Sequence, residues 1–184
     1  MPSDPASRRA FLTLGSNIEP GRHLPRAVQE LSSLGEVAAV SSVWESAPVG
    51  FIEQPRFCNA AVLLLTTLDP VTLKQKLRDI EDRLGRVRDP LNKNAPRTID
   101  LDIAFYEDQV RDEPRLPDPD IVSRNFLAVP LAELAPDFAH PVLKTTLEEL
   151  ARQSGGADGL VRRDDIPLQA ISRASTPGTG LLSD

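Results

Sequence analysis

The chain has 184 residues, of which 40% are hydrophobic and 26% charged, enough apolar material for one substantial core. Its 21 Lys and Arg against 27 Asp and Glu give a net charge of -6, which excludes the broadly basic face that wrapping nucleic acid requires. A single cysteine, Cys58, excludes an internal disulfide framework and a multi-cysteine zinc site. No apolar run approaches the ~20 residues of a membrane span, and the first residues lack the apolar stretch of a secretory signal. A cytoplasmic protein is expected.

Arg9 to Leu14 is a short apolar run stopped by Gly15-Ser16-Asn17, which predicts a strand and a polar turn. Leu24, Ala27, Val28, Leu31 and Leu34 then recur at helical steps, with Gly35 placed as the helix stop. Val37 to Trp44, rich in β-branched residues, predicts a second strand, and Ala47 to Arg56 a loop. Phe57 to Thr67 is nearly continuous in apolar residues and predicts a central strand. Asp69-Pro70 opens a second helix with an N-cap and a proline at the first helical position; Leu73, Leu77, Ile80 and Leu84 form its buried stripe, and Gly85 ends it. A charged, irregular stretch from Arg86 to Thr98 precedes a fourth strand, Ile99 to Tyr106. The order β-α-β-β-α-β predicts an α+β, ferredoxin-like core: a mainly antiparallel sheet with both helices on one face. Asp112 to Ser123 reads as proline-rich loop, Phe126 to Leu134 and Thr146 to Gln153 as short C-terminal helices, and Ser172 to Asp184 as a flexible tail.

The segment Arg97-Thr98-Ile99-Asp100-Leu101-Asp102-Ile103-Ala104-Phe105 carries the chemistry. Alternation puts Ile99, Leu101, Ile103 and Phe105 on one face and Asp100 and Asp102 on the other, with the two carboxylates roughly 7 Å apart. A solvent-facing strand could simply tolerate two acids. These two, however, follow a loop carrying Arg86, Arg88, Lys93 and Arg97. Carboxylates for Mg²⁺ beside cations for phosphate are what phosphoryl transfer uses. Arg86 and Arg88 also lie just past a helix C-terminus, where positive charge is favourable without any ligand.

Five stretches resemble the 6-hydroxymethyl-7,8-dihydropterin pyrophosphokinase family of folate synthesis, in the family's order. They are Leu14-Gly15-Ser16-Asn17, Phe57-Cys58-Asn59-Ala60-Ala61, Ile80-Glu81 with Leu84-Gly85-Arg86-Val87-Arg88, Ala95-Pro96-Arg97-Thr98-Ile99-Asp100-Leu101-Asp102-Ile103, and Ser123-Arg124-Asn125-Phe126-Leu127. The resemblance implies transfer of an intact pyrophosphate from ATP, the co-substrate, to a pterin hydroxymethyl oxygen, releasing AMP. It also implies that Asp100 and Asp102 hold two Mg²⁺ ions and that Arg86, Arg88 and Arg97 are catalytic. Glu81, Arg86, Arg97 and Arg124 would serve the nucleotide. Asn59 would bond the pterin between Phe57 and Phe126, while backbone groups of Ser46, Ala47 and Val49 would read its edge. Two positions depart from the family's pattern: Asp118 stands where a histidine is usual, and Leu91-Asn92-Lys93-Asn94 lacks a tryptophan common before the Pro-Arg signature. His23 and His140 match no functional position and are expected at the surface or in loops.

The expected organisation is one catalytic domain over residues 1–171, its core about 9–150, with a tail over 172–184. It would act on small-molecule substrates as a monomer or weak homodimer, without nucleic acid or membrane partners. A paralogue with the same phosphate chemistry but an altered acceptor or impaired nucleotide binding, or a non-catalytic pterin- or nucleotide-binding module on the same fold, are the alternatives; a metal-dependent nuclease is disfavoured by the acidic balance.

Overall fold

The computed structural model describes residues 6–50, 53–92 and 95–168. Six strands form one antiparallel sheet: β1 (Arg8–Ser16), β2 (Glu36–Val40), β3 (Trp44–Ser46), β4 (Phe57–Thr66), β5 (Asp100–Tyr106) and β6 (Val161–Arg162). Their order is β5-β1-β4-β3-β6, with β2 also paired to β4. Helices α1 (Pro20–Leu31) and α2 (Pro70–Arg83) supply Leu24, Leu31, Leu73 and Leu77 to a core on one face of the sheet. Helices α3 (Asn125–Leu134) and α4 (Leu147–Gln153) supply Ala128, Leu131, Leu147 and Leu150 to a second core that also holds Phe11 and Phe105. The ferredoxin-like core is as expected, and the C-terminal helices cover the sheet's other face. No helix among the described residues is long and apolar enough to cross a membrane. The tail expected over 172–184 lies outside the described residues.

The caps of α2 follow the sequence closely. Asp69 accepts hydrogen bonds from Val71 N (2.9 Å) and Thr72 N (3.1 Å), satisfying donors that the helix leaves unpaired. At the other end Gly85, at φ +80°, donates to Asp82 O (3.1 Å) and Arg86 N donates to Glu81 O (3.0 Å). This is the two-bond, left-handed helix stop that favours glycine, and it turns the chain so that Arg86 emerges beside Glu81.

Four expectations are corrected. The second strand, expected over 37–44, is split in two. Between the halves the Ser41 hydroxyl accepts from Ala61 N (2.8 Å) and donates to Ser42 O (2.7 Å), replacing ladder bonds by side-chain bonds. Gly35 is not the stop of α1, which ends four residues earlier; a Cβ there would lie 2.1 Å from Leu65 O, so glycine is needed where the chain passes β4. Gly35→Ala is therefore expected to destabilise the fold by ~1–3 kcal/mol, read as a lower denaturation midpoint with an unchanged slope.

Phe105 lies on the opposite face from Ile99, Leu101 and Ile103. The β1–β5 register shifts between Phe11 and Leu12, leaving Ala104 as the extra residue, and a bulge of this kind inverts the alternation beyond it. His23 lies buried inside α1, at 6% exposure; His140 is in a loop as expected but is also buried, at 4%. His140 Nδ1 accepts from Val142 N and Leu143 N (3.2 and 3.1 Å) and its ring packs edge-on against Phe105. Within the expected proline-rich loop, Pro119–Val122 forms a 3-10 turn.

Candidate active site

Strand β5 is an edge of the sheet, so one side of its backbone lacks a ladder partner, a liability that folds cover or charge. Here α2 and the segment after it cover it with charged side chains. Leu101 N donates to Glu81 Oε1 (2.7 Å). Lys74 Nζ donates to Leu101 O (3.1 Å), and Arg86 Nη1 donates to Ile99 O (2.8 Å). The same cations then reach the two aspartates. Arg86 pairs with Asp100 and with Glu81 (3.0 Å), Arg97 with Asp100 (2.7 Å), and Lys74 with Asp102.

Glu81 is the anchor of this network. Its side chain is 4% exposed and also pairs with Arg88 (2.5 Å), whose other nitrogen meets Asp82. Burial alone would push the Asp100 carboxyl up; the guanidiniums of Arg86 and Arg97 outweigh it and hold the group below the usual carboxylate range.

Asp100 and Asp102 open into a cleft of about 760 Å³ between the sheet and the start of α3. Ser46, Ala47, Val49, Phe57, Asn59, Arg124 and Phe126 line it with them. Gly15 forms its floor: it pairs with Asn59 on one side and Asp100 on the other. Asn59 Nδ2 donates to Ser46 Oγ (2.9 Å) and Trp44 O (3.3 Å), which fixes the amide at the cleft wall. A second groove of about 580 Å³ is lined by Arg86, Val87, Arg88, Asp89, Asn92, Ala95 and Arg97. Arg97 lines both. It is placed by Asn17, whose Oδ1 accepts from Arg97 N (2.8 Å) while Asn17 N and Ile18 N donate to Arg97 O (3.1 and 3.2 Å).

Of the described residues singled out for the site, the cleft and the groove together bring every one but Glu81 to a lined surface; Glu81 lies beneath Arg86 and Arg88 instead. Lys93 lies outside the described residues. The sequence did not single out Lys74 or the Asn17 side chain, which the structure places against Asp102 and Arg97. The signal for Lys74 is its spacing, two helical turns before Glu81 on the same side of α2.

The carboxylates fit Mg²⁺. They are two hard oxygen donors on one strand face, partly open to the cleft at 29% and 46% side-chain exposure. Among the described residues no group of three or more His, Cys, Asp or Glu could hold a metal ion. One or two carboxylates completed by water and substrate phosphate are nevertheless what Mg²⁺ takes.

Asp118 caps the 3-10 turn, accepting from Asp120 N (2.9 Å), and lines the same cleft. Burial raises its pKa, opposed by the Asp120 N–H and reinforced by the charges of Asp102 and Asp120. The fold thus binds this proton more tightly than the unfolded chain, so stability falls as pH rises from the ordinary aspartate pKa through the raised one. Asp118→Asn keeps the capping oxygen and is expected to raise Tm at neutral pH by roughly 2–4 °C, the shift made by about 1 kcal/mol. Thermal melts should show that gain shrinking on acidification toward the ordinary aspartate pKa.

Residues 11–136 match the family described as 7,8-dihydro-6-hydroxymethylpterin-pyrophosphokinase. The chain belongs to this family. Among pyrophosphokinase relatives, a 2-amino-4-hydroxy-6-hydroxymethyldihydropteridine pyrophosphokinase of Pseudomonas aeruginosa is 41% identical over 73% of this chain and 85% of its own. One from Methylorubrum extorquens is 42% identical over 71% and 84%. A Plasmodium falciparum HPPK-DHPS crystal structure with pteroate shares the fold, with a TM-score of 0.69 at 14% identity. It matches 87% of this chain, which spans about half of that one's length (47%). The pyrophosphokinase match thus covers β1 to α3, the elements that carry the cleft.

Proposed function

We propose that this pyrophosphokinase carries out its reaction where the cleft meets the groove, with the pterin in the former and ATP in the latter. The reaction moves an intact pyrophosphate from ATP to the hydroxymethyl group of 6-hydroxymethyl-7,8-dihydropterin and releases AMP. The hydroxymethyl oxygen attacks the β-phosphorus, the bond from that phosphorus to the oxygen it shares with the α-phosphate breaks, AMP leaves with that oxygen, and the hydroxyl proton passes to water. The observation that carries the assignment is Arg97, which lines both cavities and is bonded to Asp100.

Asp100 and Asp102 would hold two Mg²⁺ ions, which would supply charge neutralisation for the phosphates and Lewis-acid activation of the hydroxyl. Arg86, Arg88 and Arg97 bind the transferring phosphates, and Arg124 with Arg86 and Arg97 orients the nucleotide. Glu81 acts from beneath, fixing Arg86 and Arg88. Lys74 holds Asp102 toward the cleft from the edge of β5. Phe57 and Phe126 give the flat heterocycle two aromatic faces. The amide of Asn59, fixed by Ser46 and Trp44, keeps Oδ1 as an acceptor for the pterin's N–H groups, with the Ser46, Ala47 and Val49 backbone reading the remaining edge. Catalysis is electrostatic: positioning plus fixed charge aimed at the transferring group. Both substrates are small molecules, and the acidic chain is read as a cytoplasmic monomer or weak dimer.

The test is product analysis. AMP should form in equal amount with a diphosphorylated pterin, and only when ATP, the hydroxymethyl-dihydropterin and Mg²⁺ are all present. ADP as the nucleotide product, or AMP formed without the pterin, would contradict the assignment.

A further inference from the structure

The 155–163 segment lies beyond the residues that match the pyrophosphokinase family, yet it touches both walls of the proposed pterin cleft. On one wall, β6 pairs with β3, Arg162 opposite Trp44 and Val161 opposite Glu45, next to Ser46. Arg163 N donates to Val43 O (2.9 Å), and its guanidinium pairs with Glu45 (2.6 Å). The other carboxylate oxygen of Glu45 takes Arg56 Nε (2.8 Å).

On the opposite wall, Asn125 Nδ2 donates to Gly156 O (3.1 Å) and Asp158 O (2.9 Å). Gly155, Gly156 and Gly159 are all at positive φ (109°, 57° and 72°). The turn can therefore curl tightly enough to aim two carbonyls at one amide. Asn125 is the first residue of α3 and sits between Arg124 and Phe126, both of which line the cleft. The N-cap position of α3, Arg124, makes no side-chain capping bond, so this helix end lacks the usual local restraint.

We infer that Asn125 is a positioning residue for the pterin: its amide latches the start of α3 to the 155–159 turn, and β6 ties that turn to the facing β3 wall. The spacing of Phe126 from the β3–β4 wall is thus set by a segment that touches no substrate. Arg124 has its own restraints, an ion pair with Asp120 (3.1 Å) and a backbone bond to Asp120 O (3.0 Å). Loss of the latch therefore loosens Phe126 more than Arg124. The inference rests on the reading of this cleft as the pterin site.

The experiment compares wild type, Asn125→Ala and Asn125→Asp by fluorescence titration with the pterin, by titration with a non-hydrolysable ATP analogue, and by steady-state kinetics. Two hydrogen bonds of ordinary net worth are about a tenfold effect. Asn125→Ala should raise the pterin Kd and KM roughly tenfold, with kcat at saturating pterin and analogue affinity changed less than about threefold. Asn125→Asp should be worse than alanine, because an ionised carboxylate facing two carbonyl oxygens has no proton to donate.

Unchanged pterin affinity in both variants would overturn the inference. So would equal losses of pterin and nucleotide affinity, or an aspartate variant equal to wild type. Asn59→Ala separates the two levels. If it weakens pterin binding while both Asn125 variants do not, only the latch fails; if it too has no effect, the pocket reading fails and the latch with it.

Discussion

Asp102→Ala is expected to lower kcat by about three orders of magnitude or more, roughly 4 kcal/mol of transition-state stabilisation, while leaving Tm within a few degrees of wild type. The side chain is half-exposed and pairs with Lys74, which itself reaches the water-facing edge of β5. Little folding energy therefore rests on it. Its neighbour should behave in the opposite way. Leu101 is fully buried between β5 and α2, so Leu101→Ala is expected to cost ~2–5 kcal/mol of stability. A single position along one strand thus separates chemistry from packing, and paired melts and initial rates on the two variants measure the separation.

Arg86→Ala should damage both properties at once. Arg86 is 14% exposed in its side chain and bonds Glu81, Asp100 and Ile99 O together. Its removal leaves two largely covered carboxylates facing each other with less compensation, a change that costs about 3–5 kcal/mol in comparable buried networks. Turnover should fall by roughly two to three orders of magnitude as the proposed phosphate ligand is lost. Arg88 also pairs with Glu81 but is 43% exposed, so Arg88→Ala is expected to leave the denaturation midpoint nearly unchanged. A large stability loss in Arg88→Ala, or none in Arg86→Ala, would reverse the roles given to the two arginines.

The features legible in the sequence were those whose cause is local. Asp69-Pro70 and Gly85 mark the ends of α2 because capping is decided within four residues. Asp100 and Asp102 share a face because the period of a strand is two. What escaped is decided by distant parts of the chain. Nothing near Gly35 shows that Leu65 O will pass where its Cβ would be. The bulge at Ala104 exists because β1 and β5 slip by one residue, and it alone carries Phe105 to the second core. The pairing of the two-residue β6 with β3 depends on Glu45, more than a hundred residues earlier. His140 is buried because a backbone turn supplies its partners, which no spacing reveals.

In the candidate site, the acids and arginines could be read off because their residue types match the chemistry. The supports could not. Lys74 looks like any lysine on an exposed helix until β5 is seen to be an edge strand, and Asn17 looks like an ordinary turn residue until it is seen holding both sides of the Arg97 peptide.

Asp100 and Asp102 are proposed to bring two metal ions to the phosphates of the bound nucleotide. The most direct measurement counts Mn²⁺, standing in for Mg²⁺, by electron paramagnetic resonance in the complex with a non-hydrolysable ATP analogue and the pterin. Two tightly bound ions per chain are expected in the wild type, and at most one in Asp102→Ala under the same conditions. An equal count in the two proteins would contradict the claim.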